Sequence, residues 1–229
     1  GISVSGKSTD PKSKWPKNNL VLNCTAYMNK DQAQEDADGF AAKLYCGEGN
    51  IFRGCISYCN ADDGWDLYAK TESGLIGAVT IEDCVAFGNG FNIDGTATYG
   101  NGNGFKMGGE SLSGKHSISN SVSFGNKLKG IDSNSCPDII VKNCTSVYNG
   151  KYNYAFYSTK ATSFDVQNVI SFLGGATDDV PDQSEPNVVL KNEGNYFNYK
   201  AETGAYTENS VGTKITPSNT FVEWSDDFM

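Results

Sequence analysis

Along this chain apolar and polar residues alternate with period two over short stretches, and Asn, Asp or Gly separates one stretch from the next. Such alternation predicts half-buried strands, and helical periodicity is absent. The clearest carrier is a seven-residue pattern, Asn23-Cys24-Thr25-Ala26-Tyr27-Met28-Asn29, which returns in degenerate form at 54–60, 83–89, 120–126, 143–149 and 168–174. Its second position reads as inward Cys, Ser or Val, its third as an outward β-branched residue and its fourth as an inward Ala or Ser, with an aromatic next in most copies. Three residues ahead of each second position lies Val21, Phe52, Ile81, Ile118, Val141 or Val166. The Asn or Asp in between suits a left-handed turn, so each copy reads as strand, tight turn, strand.

A tetrapeptide recurs alongside it: Asp38-Gly39-Phe40-Ala41, Asp63-Gly64-Trp65-Asp66, Asn103-Gly104-Phe105-Lys106 and Lys129-Gly130-Ile131-Asp132. Successive second positions of the longer pattern are 31, 29, 37, 23 and 25 residues apart. A coil of about two dozen residues with insertions at its corners predicts an all-β fold, a right-handed parallel β-helix whose coils touch only their neighbours. Stacked in that way, Ala41, Asp66, Lys106 and Asp132 occupy successive rungs of one parallel sheet, side chains on one outer face. Beyond Asn168 the pattern weakens: 177–186 reads as a polar loop, 187–199 as one more irregular coil, and 200–229 as a C-terminal cap or tail. Residues 1–229 read as a single β-helix domain short of N-terminal coils, its first rung covered by those coils or by 1–18.

Charge narrows the partners. A net charge of -9 with Arg53 as the only arginine argues against nucleic acid, and no run is apolar enough to cross a membrane. An acidic protein that handles an acidic polymer needs a cation between them. Four of the seven cysteines, Cys24, Cys55, Cys84 and Cys144, share the inward repeat position and read as packed free thiols, and no Cys-x-x-Cys pair suggests zinc. Arg53 aligns with Glu82 one rung on as a ladder ion pair. His116, the one histidine, lies between strands and reads as a surface residue. No Gly-x-Ser-x-Gly segment supports a serine nucleophile.

The acids supply the candidate chemistry. Asp38 and Asp63 share a register on neighbouring coils, with Asp62 and Asp66 beside them, so four carboxylates converge. Unneutralised, they raise one another's pKa. A hard divalent cation resolves the conflict, and an all-oxygen donor set favours Ca²⁺ over zinc, copper or iron. The plainer alternative is a Ca²⁺ that staples two coils, or aspartates that cap turns. Lys106 rises among glycines at 100, 102, 104, 108 and 109, which leave room for a ligand. Its ordinary reading is a solvated lysine paired with Asp66 or Asp132. A cation on Asp66 would favour the neutral amine and make Lys106 a Brønsted base, while Asp132 acts oppositely, and an alkaline optimum reconciles the two.

These residues resemble polysaccharide lyase family 9, the β-helical pectate lyases. The resemblance runs through 36–43, 49–55, 60–66 and 102–109 and covers most of 20–160. It implies Ca²⁺ ligands at Asp38, Asp62, Asp63 and Asp66 and a catalytic base at Lys106; Lys43, Asn103, Lys129, Asp132 and Tyr99 are the candidate substrate contacts. The inserted loop 90–99 would wall the cleft, with Phe91 and Tyr99 as sugar-stacking residues. The implied reaction is β-elimination on a uronate of pectin, an acidic plant cell-wall polysaccharide, by a secreted or cell-surface monomer. Three other readings stay open: a rhamnogalacturonan lyase of the same family, a β-helical hydrolase using the Asp62–Asp63 pair, and a calcium-stapled adhesin without activity.

Overall fold

The computed structural model describes residues 1–160, 163–172, 182–184, 189–200 and 205–206. Strands from successive coils build three sheets around one core. The first contains Ile2–Ser3, Phe40–Ala41, Trp65–Asp66, Phe105–Lys106, Lys129–Asp132, Tyr152–Phe156 and Asp182–Ser184. The second contains Leu20–Leu22, Asn50–Arg53, Val79–Glu82, Ser117–Ser119, Ile140–Lys142, Ser163–Gln167 and Val189–Glu193. The third contains Thr25–Tyr27, Ile56–Tyr58, Val85–Phe87, Val122–Phe124, Thr145–Val147, Ile170–Phe172 and Tyr196–Lys200. All these neighbours pair parallel, and one antiparallel strand, Ala205–Tyr206, follows at the end of the third sheet. The chain is a parallel β-helix, as its periodicity predicts.

The predicted register is the observed one. Ala41 pairs with Asp66, Asp66 with Lys106, and Lys106 with Asp132, all in the first sheet. In the second, Val21, Phe52, Ile81, Ile118, Val141 and Val166 lie rung on rung. The turn between the second and third sheets is left-handed in every copy, with φ of 50° at Asn23, 63° at Gly54, 56° at Asp83, 51° at Asn120, 52° at Asn143 and 53° at Asn168. At the surface, the Arg53 guanidinium donates to Glu82 Oε1 at 2.6 Å across one rung.

Stacking puts like on like inside. Phe40, Trp65 and Phe105 are wholly buried, and both ring pairs stack at 4.7 Å between centroids. The last position of the seven-residue pattern forms a buried amide ladder. Asn29 donates to Asn60 at 2.6 Å, and Asn60 to Asn89, Asn89 to Asn126 and Asn126 to Asn149 at 2.9 Å each. Side-chain oxygens in this ladder also accept the backbone N–H of the rung before, at 3.1 to 3.3 Å. Inward serines complete it, as where Asn60 Nδ2 donates to Ser57 Oγ at 2.9 Å. The repeat glycine follows from this ladder: a Cβ at Gly64 would lie 2.8 Å from Asn89 Nδ2 and 2.5 Å from the Gly104 carbonyl oxygen.

Two expectations change. His116 is buried, because its ring turns inward at the start of a second-sheet strand and accepts the Val79 N–H at Nδ1, 3.1 Å away. Burial holds that imidazole neutral, down to about 4, against the pull of Asp138. Within the stretch read as a polar loop, Asp182–Ser184 extends the first sheet by pairing with Tyr154–Phe156. The coil expected at 187–199 supplies two strands, with a register shift between Ile170 and Phe172 where it pairs. Of the expected cap, 201–204 and 207–229 lie outside the described residues. All seven cysteines are free thiols, among them Cys24, Cys55, Cys84 and Cys144, for which this was expected.

The amide ladder makes a stability prediction. Asn89→Ala removes a buried side chain that both donates and accepts, and strands partners on two rungs. It should cost about 2–4 kcal/mol in urea unfolding. A loss within about 0.5 kcal/mol, the range of ordinary surface changes, would show that the ladder is not structural.

Candidate metal and catalytic site

The first sheet and the corner leading into it position the acids. Asp38 and Asp63 each precede a first-sheet strand, and Gly39 N–H donates to the Asp63 carbonyl at 2.9 Å, locking the two rungs together. Asp38, Asp62, Asp63 and Asp66 are all buried. Asp38, Asp63 and Asp66 each offer an oxygen within 4.8 Å of the others. Asp38 Oδ1 accepts the Asp63 N–H at 3.2 Å, and Asp66 Oδ1 the Tyr68 N–H at 2.9 Å.

Asp62 stands apart from that trio: its Oδ1 accepts the N–H groups of Asn101 at 2.6 Å and Gly102 at 3.4 Å. It ties the loop before Lys106 to the acidic corner. Asn103 is buried and donates from both its backbone and its side chain to Asp63 Oδ1 at 2.8 Å. It therefore positions Asp63. Lys129 is paired with Asp132 at 2.9 Å and with the Tyr157 hydroxyl at 3.1 Å, one rung beyond Lys106. Tyr99 is exposed, beside a hollow of about 620 Å³ lined also by Met28, Gln34, Asn92 and Ile93, and neither the four site aspartates nor Lys106 lines it. The glycines near Lys106 do not clear space for a ligand. A Cβ at Gly104 would lie 2.3 Å from Ser123 Oγ, and one at Gly109 2.3 Å from the Tyr68 ring.

Two lysines bracket the trio. Lys43 Nζ lies 2.7 Å from Asp38 Oδ2 and 2.7 Å from Asp66 Oδ2. Lys106 Nζ is held more loosely, 3.1 Å from Asp63 Oδ2 and 3.7 Å from Asp66 Oδ1, with the Tyr68 ring 5.6 Å away. The Lys43 contacts were not legible in the motif, because Lys43 lies outside the repeated tetrapeptide.

Four carboxylates against two ammonium groups leave an excess of negative charge in a dry site. Burial raises the Asp38 carboxyl to about 7, helped by the Asp66 charge and opposed by Lys43. Burial likewise raises Asp62 and, further, Asp63, in each case against the attraction of Lys106. At Lys106 burial favours the neutral amine, but the charges of Asp63, Asp66 and Asp62 outweigh it and hold the proton on above the ordinary lysine value. Lys43 behaves alike under Asp66 and Asp38. All these shifts run upward, the acids' chiefly from burial and the lysines' from the carboxylate charges, and together they favour bound positive charge.

That donor set fits a hard divalent cation. Every donor is oxygen, the uncompensated charge is negative, Asn103 Oδ1 is a buried acceptor without a hydrogen bond, and Asp63 Oδ2 has only the Lys106 ammonium at 3.1 Å. Zinc and copper would call for the imidazole or thiolate ligands that this corner lacks.

A family described as the Pel9A-like, right handed beta helix region matches residues 1–168. The chain belongs to polysaccharide lyase family 9. Pectate lyase L of Paenibacillus polymyxa (strain SC2) is 48% identical over 186 residues, which cover 79% of this chain and 41% of the relative. The crystal structure of pectate lyase Pel9A superposes with a TM-score of 0.65 at 33% identity, covering 88% of this chain and 51% of that one. A rhamnogalacturonan lyase superposes at 0.66 with 25% identity, covering 82% and 50%. The chain spans less than half the length of the curated relatives it matches. Family membership makes the β-helix right-handed and matches the resemblance read from 36–43, 49–55, 60–66 and 102–109.

The raised carboxyls set a pH dependence with a definite sign. A folded pKa above the ordinary 3.8 means that the folded form binds the Asp38 proton more tightly than the unfolded chain does. Stability of the chelated protein should therefore fall as pH rises from about 4 to about 7. Asp38→Asn should remove part of that fall in a thermal melt, whereas a midpoint that is flat over the range would contradict the raised carboxyls. Calcium should restore the midpoint near neutrality, and Asp63→Ala should abolish both this rise and the calorimetric binding heat. Unchanged calcium binding by Asp63→Ala would remove Asp63 from the ligand set.

Proposed function

We propose that this chain forms the catalytic β-helix of a calcium-dependent lyase that cleaves galacturonate-containing pectin by β-elimination. The observation that carries this reading is the placement of Lys106 in register beside Asp66, with its Nζ 3.1 Å from Asp63 Oδ2. The base and the acids that would hold a cation thus share one outer face. Asp38, Asp63 and Asp66 would hold the calcium, with Asp62 beside them. When bound, calcium would take the uronate carboxylate and stabilise the negative charge that develops at C5.

Lys106 then removes the C5 proton. The released electron pair forms the C4–C5 double bond, the C4–O4 bond breaks, and the leaving oxygen takes a proton from water, which gives a 4,5-unsaturated end. Lys106 is a base only in its neutral form. Its own surroundings set two opposing effects, burial towards the amine and three carboxylates towards the ammonium. Offsetting the carboxylate charge leaves burial in command, and Lys106 then gives up its proton more readily. Asn103 and the backbone amides at 101 and 102 keep Asp63 and Asp62 aimed, so the acids do not reorganise as charge develops.

A second reading has one observation in its favour: a rhamnogalacturonan lyase superposes with a TM-score of 0.66 against 0.65 for Pel9A, though at 25% rather than 33% identity. Both substrates present a uronate to the same base, and they differ in the neighbouring sugar. Pectin is a polymer of the plant wall, so the protein is proposed to act as a secreted or cell-surface enzyme.

Incubation with polygalacturonate and with rhamnogalacturonan, with calcium or chelator, tests the reading through the ultraviolet absorbance of unsaturated ends. Calcium-dependent absorbance should appear with polygalacturonate and should rise with pH into the alkaline range as the amine is populated. Lys106→Ala should lower kcat by about 10²-fold or more in protein that is folded and saturated with calcium. Saturated reducing ends with an acidic optimum would instead establish a hydrolase.

A further inference from the structure

The tightest ion pairs of the site belong to Lys43, which the chemistry above does not use. Its Nζ makes two 2.7 Å contacts, to Asp38 on one rung and to Asp66 on the next, so one ammonium neutralises two of the three clustered carboxylates. We propose that Lys43 is a built-in counter-ion for the metal site, which holds the acids together in the metal-free protein and yields their Oδ2 oxygens when calcium binds. This inference rests on the calcium reading above and deepens it.

Three observations support an exchange over a permanent bridge. Lys43 is the accessible member of the group: its side chain is 27% exposed, against 4% for Asp38 and 3% for Asp66. The carboxylates are held from their other oxygens, Asp38 Oδ1 by the Asp63 N–H and Asp66 Oδ1 by the Tyr68 N–H, whereas the lysine has a flexible stem and solvent to swing into. Its backbone is anchored without its ammonium, since Ser5 Oγ donates to the Lys43 carbonyl at 2.7 Å and accepts the Lys43 N–H at 3.3 Å. The head group can leave while the strand end stays.

Electrostatics gives the direction. A divalent cation drawn to oxygens that already hold an ammonium must displace it or bear its repulsion, and at a buried site that repulsion is poorly screened. Removing the Lys43 charge should therefore tighten calcium binding and, in the absence of calcium, leave Asp38 and Asp66 to repel each other. Lys106 serves a different end: its contacts are longer, at 3.1 and 3.7 Å, so it is the less committed of the two ammonium groups. The pairing divides neutralisation from proton transfer.

The test is calcium calorimetry and a thermal melt in chelator on the parent, Lys43→Met and Lys43→Gln. Both variants should bind calcium about tenfold or more tightly than the parent and melt lower when metal-free. Lys43→Gln keeps a hydrogen-bond donor without the charge, so it supplies the answer if Lys43→Met fails to fold. Calcium binding by the parent with equal or weaker binding by the variants would overturn the exchange and make Lys43 a buttress of the ligands. Absence of calcium binding in all three proteins would overturn the calcium reading as well as the exchange.

Discussion

Parallel stacking at about 4.8 Å places each side chain directly over its equivalent on the next rung, and this fixed repeat is the constraint from which the rest of the structure follows. Inside, the repeat is favourable. Aromatics stack face to face, and each asparagine in the ladder donates to the next while accepting from the last. Outside the first sheet it is unfavourable for charge, because Asp66 must sit beside the corner that carries Asp38 and Asp63. The interior ladders hold the rungs in the register that crowds the acids. Asn60 and Asn89, which lie in the coil corners immediately ahead of Asp62 and the loop to Lys106, connect the two.

The crowded carboxylates explain the chemistry around them. Lys43 and Lys106 partly neutralise them, backbone amides at 101 and 103 donate to Asp62 and Asp63, and in the proposed function a divalent cation would supply the missing charge. In this arrangement Lys106 has two states set by its neighbours. With the acids uncompensated it is an ammonium that stabilises them, and in the proposed function, with the acids compensated, it would be a buried amine beside the reacting carbon. In the proposed function a cation site and a proton acceptor built from one set of charges would depend on each other, and a uronate would join them by bringing a carboxylate to the metal and a C–H to the lysine.

Much of this was legible in the chain. Period two, the recurring Asn or Asp turns and the repeated tetrapeptide predict the three sheets, the Arg53–Glu82 pair and the ladder of Ala41, Asp66, Lys106 and Asp132, because in a solenoid sequence register is spatial register. What depends on side-chain direction was not legible. His116 reads as surface from its polarity, yet an inward-turning backbone buries it against the Val79 N–H. The asparagine at the end of the seven-residue pattern was visible as a repeat, but nothing local says that it turns inward to its neighbours. Glycines flanking Lys106 suggest clearance, and in three dimensions Ser123 and Tyr68 fill it. Lys43 and Asn103 read as substrate contacts, and their hydrogen bonds go to the acids.

The account turns on calcium changing the charge state of Lys106. The direct measurement is a pH titration of the Lys106 side-chain nitrogen by NMR on ¹⁵N-lysine protein, assigned by the Lys106→Arg spectrum, in chelator and in saturating calcium. Without metal the ammonium should persist above the ordinary lysine range, and with calcium its titration should move down towards and below it. A Lys106 signal that titrates identically in both conditions would contradict the central claim that the acidic cluster, through its cation, makes this lysine a base.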